Sequence, residues 1–186
     1  MACPQNRASV DVLTRYPKSE AGLYMPTNGT SPLLSLFTWL ITLQFVAVVF
    51  HDLVDIPGWT HGRQVRAIIG RRKLMIATMV NALFPGAAVA LALGFWNKPK
   101  SGLVYDYWVI YCAVTLLSAI GMWYIPYFLG TTEERKREFS QMYSGTLQVL
   151  PPRGNNPRPN LLHVCFHVLF VITFFLSLAL RFGTKS

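Results

Sequence analysis

The sequence predicts an all-α integral membrane protein: a four-helix bundle with short interfacial helices in its cytoplasmic loops. Three observations carry that prediction. Residues 32–50, 74–96, 104–129 and 161–182 form four apolar runs, each close to the ~20 residues that a helix needs to cross hydrocarbon. Only 13% of the 186 residues are charged and the mean hydropathy is +0.35, whereas soluble domains carry about 25% charge. The charges are also segregated: none falls in 74–96 or 161–180, and Asp106 stands alone in 104–129. A soluble chain would spread them over amphipathic faces. The spans and their short connections leave one domain, 32–186, behind an N-terminal tail, 1–31.

The tail is polar, with Arg7, Asp11, Arg15, Lys18 and Glu20, and has no apolar core of a secretory signal. Asn28-Gly29-Thr30 is a glycosylation sequon. The first span follows Ser31-Pro32, since proline at the first helical position costs no hydrogen bond. Its helix is expected to continue past Phe50 as far as Asp55, before Pro57-Gly58 breaks it. Residues 64–73 read as a short basic helix leading into span two. Pro85-Gly86 places a kink in span two, and Gly86, Ala87, Ala88, Ala90, Ala92 and Gly94 give it a small-residue surface for close helix approach. A tight turn around Lys98-Pro99 makes spans two and three a hairpin. Tyr105, Tyr107 and Trp108 at one end of span three, and Trp123, Tyr124 and Tyr127 at the other, read as interfacial belts. Thr131-Thr132-Glu133-Glu134 starts a surface helix that ends near Tyr143, with early acids suited to the helix dipole. Residues 150–160 contain four prolines and form no regular structure, and Asn160 can cap span four.

The loop charges give a direction. Arg63, Arg66, Arg71, Arg72 and Lys73 lie between spans one and two, and Arg135, Lys136, Arg137, Arg153 and Arg158 between spans three and four. Seven other basic residues lie in the tail, the outer turn and the C-terminus. The positive-inside rule then places both loops in the cytoplasm and both termini outside, in a plasma or inner membrane. The net charge of +9 reads as topogenic charge and contact with anionic headgroups, not as a nucleic-acid interface. Arg63, Arg71, Arg72 and Arg153 are the candidates for binding an anion or lipid headgroup. Cys3, Cys112 and Cys165 contain no CxxC pair, so no disulfide framework is expected.

All four histidines fall toward one face of the membrane. Gln44, His51 and Asp55 share a face if span one extends, and Asn160, His163 and His167 share a face of span four. His51, Asp55, His163 and His167, with Asp52, His61, Asn81 and Tyr124, form a candidate polar cluster in the cytoplasmic half, and the outer half reads as plain apolar packing. Three uses compete. The residues can hydrogen-bond across helices and fix the packing. His163, His167, His51 and Asp55 can supply four ligands to a divalent metal, although HxxxH without the glutamate of HExxH is a weak signal; haem is a further candidate that needs facing histidines. A His–Asp pair can also move protons or bind a polar substrate. No catalytic motif is present. The sequence therefore reads first as a non-enzymatic accessory, lipid- or partner-binding or transport-type subunit, in a homo-oligomer or larger membrane complex. A membrane-embedded metal-dependent or acid–base enzyme acting on a lipid-like substrate is the alternative.

Overall fold

The structure is a computed structural model that describes residues 31–51, 53–96 and 101–183. The expectations for the N-terminal tail, Cys3, the sequon, Asp52, Lys98 and Lys100 lie outside the described residues. The described chain is mostly helical, with two short strands and four helices long and apolar enough to cross a membrane.

Helix α1 (Pro32–Phe50) starts where Ser31 Oγ accepts the Leu34 N–H at 3.2 Å and Pro32 fills the first turn. The hydroxyls of Thr38 and Thr42 each donate to the carbonyl four residues back, at 2.8 Å, so neither is left unpaired among apolar neighbours. The helix stops at Phe50, with His51 as its C-cap, and does not reach Asp55. The Leu53 and Val54 amides share the Phe50 carbonyl in a closing turn, and the expected extension goes no further because Asp55 bonds to Arg63 in the loop. Asp55 belongs to strand β1 (Asp55–Ile56), paired antiparallel with β2 (Thr60–His61) around Gly58.

Helix α2 (Gly62–Ile69) and helix α3 (Arg71–Gly94) meet at Gly70, whose φ of +86° ends one and starts the other. The single basic helix expected over 64–73 is therefore split, because only glycine adopts that backbone conformation without strain. Pro85 lies inside α3. Two carbonyls near it accept from span three: Phe84 O from the Tyr107 hydroxyl at 2.9 Å, and Ala88 O from Trp108 Nε1 at 3.2 Å.

The third span, Gly102–Leu129, has three parts: α4 (Gly102–Ala119), a π-helical turn (Ile120–Tyr124) and α5 (Ile125–Leu129). Gly130 ends it at φ +87°, and a Cβ there would sit 3.4 Å from Asn156 Oδ1. Gly130→Ala is expected to cost about 1–2 kcal/mol from the left-handed backbone alone, read as a lowered unfolding midpoint in detergent. Helix α6 (Glu133–Met142) is capped by Thr132 Oγ1, which accepts the Arg135 N–H at 3.3 Å. Helix α7 (Leu161–Phe182) is capped by Asn160.

Helix α1 packs against α3 and α7, and α4 packs against α7 and α3. Their core is built from Phe37, Ile41, Ala88, Ala92, Trp108 and Cys112, all nearly fully buried. Ala88 and Ala92, four residues apart, let α1 approach α3, and the Phe45 ring would lie 3.2 Å from a Cβ at Gly86. Gly94 has nothing nearby, so only part of the small-residue surface is an interface.

Polar groups also enter this core, contrary to the plain apolar packing expected there. Gln44, 1% exposed, donates from Nε2 to Thr173 Oγ1 at 2.7 Å and accepts from the Tyr111 hydroxyl at 3.0 Å. Three spans are thereby joined near mid-depth. Arg181 Nε donates to Asp106 Oδ1 at 2.6 Å and joins α7 to α4 at the end away from the histidines.

Candidate functional site: a histidine and aromatic cluster

Asn160 organises the histidine end. Its side chain is buried, and its Oδ1 accepts both the His163 amide at 3.0 Å and His163 Nδ1–H at 2.7 Å. A carboxamide oxygen only accepts, so Nδ1 of His163 carries the proton. Asn160 Nδ2 donates to the Trp59 carbonyl at 3.2 Å, reaching the loop that follows span one. Backbone bonds extend this link, from Leu147 N–H to Gly58 O and from Leu161 N–H to Leu147 O, both at 2.7 Å. One asparagine thus caps α7, fixes an imidazole and joins both long loops.

The π turn supplies the next layer. The Ile125 amide reaches the Ile120 carbonyl, five residues back, just before Pro126, which has no amide to give. The wider turn reduces the angle between neighbours, so Trp123 and Tyr124 both face α7. The Trp123 ring lies 4.1 Å from that of His163 and 6.4 Å from that of His167. The Tyr124 hydroxyl lies 3.1 Å from His167 Nδ1. Trp123 is 7% exposed; its role is in the core and not in the interfacial belt expected for it. Tyr143, at the end of α6, packs tilted against Trp123 and edge-on against His163, at 5.2 and 5.4 Å between ring centres. His51 approaches edge-on, 5.8 Å from His163 and from Phe166, and its Nδ1–H donates to the Val48 carbonyl at 3.0 Å.

His51, Tyr124, His163 and His167 therefore come together, with Trp123, Tyr143 and Asn160 around them. Other candidates do not join them. Asp55 lies in the loop, where Oδ1 accepts the Arg63 amide and Oδ2 accepts Arg63 Nε, both at 2.9 Å. It acts as an outside cap on α2, placing negative charge at the positive end of that helix. His61 sits in β2 against Gly145, and among the described residues no ring contact links it to the other histidines. Asn81 is exposed on the outside of α3, and Thr78 is the polar residue of that helix that turns inward. Asn81 sits about 60° round the helix from Thr78, far enough to leave the buried stripe of Leu74, Thr78 and Pro85.

The expected four-ligand metal shell is not assembled, because Asp55 has left the helix face. Among the described residues, no group of three or more His, Cys, Asp or Glu side chains is placed to hold a metal ion. The anion candidates separate as well. Arg63 is committed to Asp55, Arg153 lies over the rings of Phe128 and Tyr127 at 4.9 and 5.7 Å, and Arg71 lines a pocket with Arg66.

Asp55 carries the one pH effect that the loops make plain. The Arg63 amide, and with it the Arg63 guanidinium, holds its carboxyl below the ordinary 3.8, against an opposing contribution from desolvation. A carboxylate lowered in the folded state stabilises above its unfolded pKa, and that stabilisation is lost as pH falls through the folded value. Hydrogen exchange at the Arg63 amide is expected to quicken, beyond its intrinsic pH dependence, as pH drops below about 4. Asp55→Asn should remove that acid-dependent step.

Sequence reasoning missed Trp123 as a core residue, Tyr143, and the Gln44–Tyr111–Thr173 network. Gln44 and Tyr111 carried a signal: each is a polar group within an apolar run, where exposure to lipid is costly. Trp123 carried none, since the π turn that buries it leaves no mark in apolar periodicity. The chain matches no protein-family model, no curated protein and no solved structure.

Proposed function

We propose that this chain is a non-enzymatic, multi-pass membrane protein that works by binding. It would act as an accessory, lipid- or partner-binding or transport-type subunit, built as a four-helix bundle with the histidine end and both long loops in the cytoplasm. The carrying observation is that the polar groups of the cluster are spent on the protein itself. Nδ1 of His163 is bonded to Asn160, Nδ1 of His167 pairs with Tyr124 and Nδ1 of His51 bonds its own helix; outside the cluster, Asp55 holds Arg63. Buried polar networks satisfied in this way fix helix packing. The excess of basic residues in the two loops supports the orientation. Homo-oligomers or a larger complex fit the apolar outer faces, where Met79, Leu83, Ile110 and Leu117 are each more than half exposed.

One observation favours the metal-dependent or acid–base enzyme reading: the rings of His51 and His167 lie 5.8 and 6.3 Å from that of His163. Metal analysis of the purified protein, alongside unfolding of His163→Ala and His167→Ala, tests the two. Binding with structural histidines predicts no stoichiometric metal and a loss of unfolding stability of about 1–3 kcal/mol in each variant. One metal ion per chain, lost in the variants, would overturn it in favour of the enzyme.

A further inference from the structure

We infer that the junction of α2 and α3 is a binding site for the phosphate of an anionic phospholipid. This rests on the lipid-binding reading above and gives it a place. Three observations meet there. A pocket of about 370 Å³ is lined by Arg66, Arg71, Leu53, Leu74 and Met75. That lining is amphiphilic: two guanidinium groups lie beside three apolar side chains, which matches a phosphate joined to the first part of an acyl chain. Guanidinium groups bind phosphate oxygens in a paired geometry that ammonium groups lack.

The second observation is the start of α3. Gly70 caps it with no side chain, its first turn contains no acid, and its first three residues are Arg71, Arg72 and Lys73. The amides of a first turn have no partner within the helix, and cations placed there oppose the helix dipole. An anion answers both, accepting from the open amides and neutralising the excess positive charge. Asp55 contributes only a long ion pair there, 4.0 Å from Arg66 Nη2, and its hydrogen bonds go to Arg63.

The third is availability. Arg66 spends Nη1 on the Leu53 carbonyl at 2.7 Å and turns Nη2 toward Asp55 at 4.0 Å, which fixes the guanidinium at the rim; its five N–H groups outnumber these two partners. Arg71 makes no side-chain hydrogen bond or ion pair among the described residues, and it is exposed. The pocket lies at the start of a long apolar helix, so an acyl chain attached to the bound phosphate would run along the exposed Met75, while Leu74 is buried behind it.

Native mass spectrometry of the full chain in detergent, with dioleoyl phosphatidic acid or dioleoyl phosphatidylcholine added, tests this. One phosphatidic acid per chain is expected to be retained in preference to phosphatidylcholine. Arg71→Gln, which breaks no contact described here, should lower that retention about tenfold, and Arg66→Gln with Arg71→Gln further still. Arg137→Gln, on α6, should leave it unchanged, and circular dichroism checks that each variant keeps its helices. Equal loss in Arg137→Gln, or no loss in Arg71→Gln, would overturn the site in favour of diffuse charge. Displacement of the lipid by millimolar inorganic phosphate, with no dependence on the acyl chain, would overturn the lipid assignment and leave a free-phosphate site. Retention is read separately from metal content, so failure here leaves the metal test of the binding role intact.

Discussion

Asn160→Ala is expected to destabilise the protein by about 2–4 kcal/mol. Loss of a helix cap costs about 1 kcal/mol. The change also strands the buried His163 Nδ1–H, at about 1–3 kcal/mol, and takes the donor from the carbonyl of Trp59, whose exposure lets water replace it. The damage should be local first. Leu147 and Leu161 donate into the backbone chain that Asn160 anchors, and their amides should exchange faster than those of the core around Trp108. Asn160→Asp separates the contributions: it keeps the acceptor for His163 but loses the donor to Trp59, so less than half the loss should remain. Unfolding by denaturant in mixed micelles reads both variants. Equal, near-zero effects would remove Asn160 from the centre of the histidine end.

Gln44→Leu is the second large effect. Leucine fills a similar volume, so little cavity is created, but the Tyr111 hydroxyl loses its acceptor and Thr173 loses a donor. Interhelical hydrogen bonds in membranes contribute about 0.6 kcal/mol on average and up to about 1.7, so the two together set an expected loss of about 1–3 kcal/mol. Tyr111→Phe alone should cost less, because Gln44 keeps its bond to Thr173. The double variant should lose less than the sum of the two, since no hydroxyl is then stranded. Strict additivity in a double-mutant cycle would show that the network contributes nothing to helix association.

The four long apolar helices were legible in the sequence because their signal is long and redundant: some twenty apolar residues in a row survive any local error. Pro32 and Asn160 were legible because helix starts depend on one residue's chemistry. Asp55 was misplaced for a physical reason. Helical spacing put it beneath His51, but the carboxylate finds an amide and a guanidinium on Arg63 within the loop, and those short-range bonds decide where the helix ends. Asn81 shows the limit of depth as an argument, since distance along an axis says nothing about which face a side chain occupies. Trp123 and Tyr124 share the histidines only because a π turn precedes Pro126. A one-residue widening of the helix is invisible to apolar periodicity, and the site depends on it.

Thiol accessibility in sealed, right-side-out vesicles provides the sharpest test of the four-span reading, with Cys3, Cys112 and Cys165 replaced by alanine. Ser101 and Ser140 are both exposed and lie on either side of the third span. Ser101→Cys should react with an impermeant maleimide added outside, and Ser140→Cys only after the vesicles are opened. Reaction of both from the same side would contradict a third membrane crossing, and reaction of Ser140→Cys alone from outside would reverse the orientation.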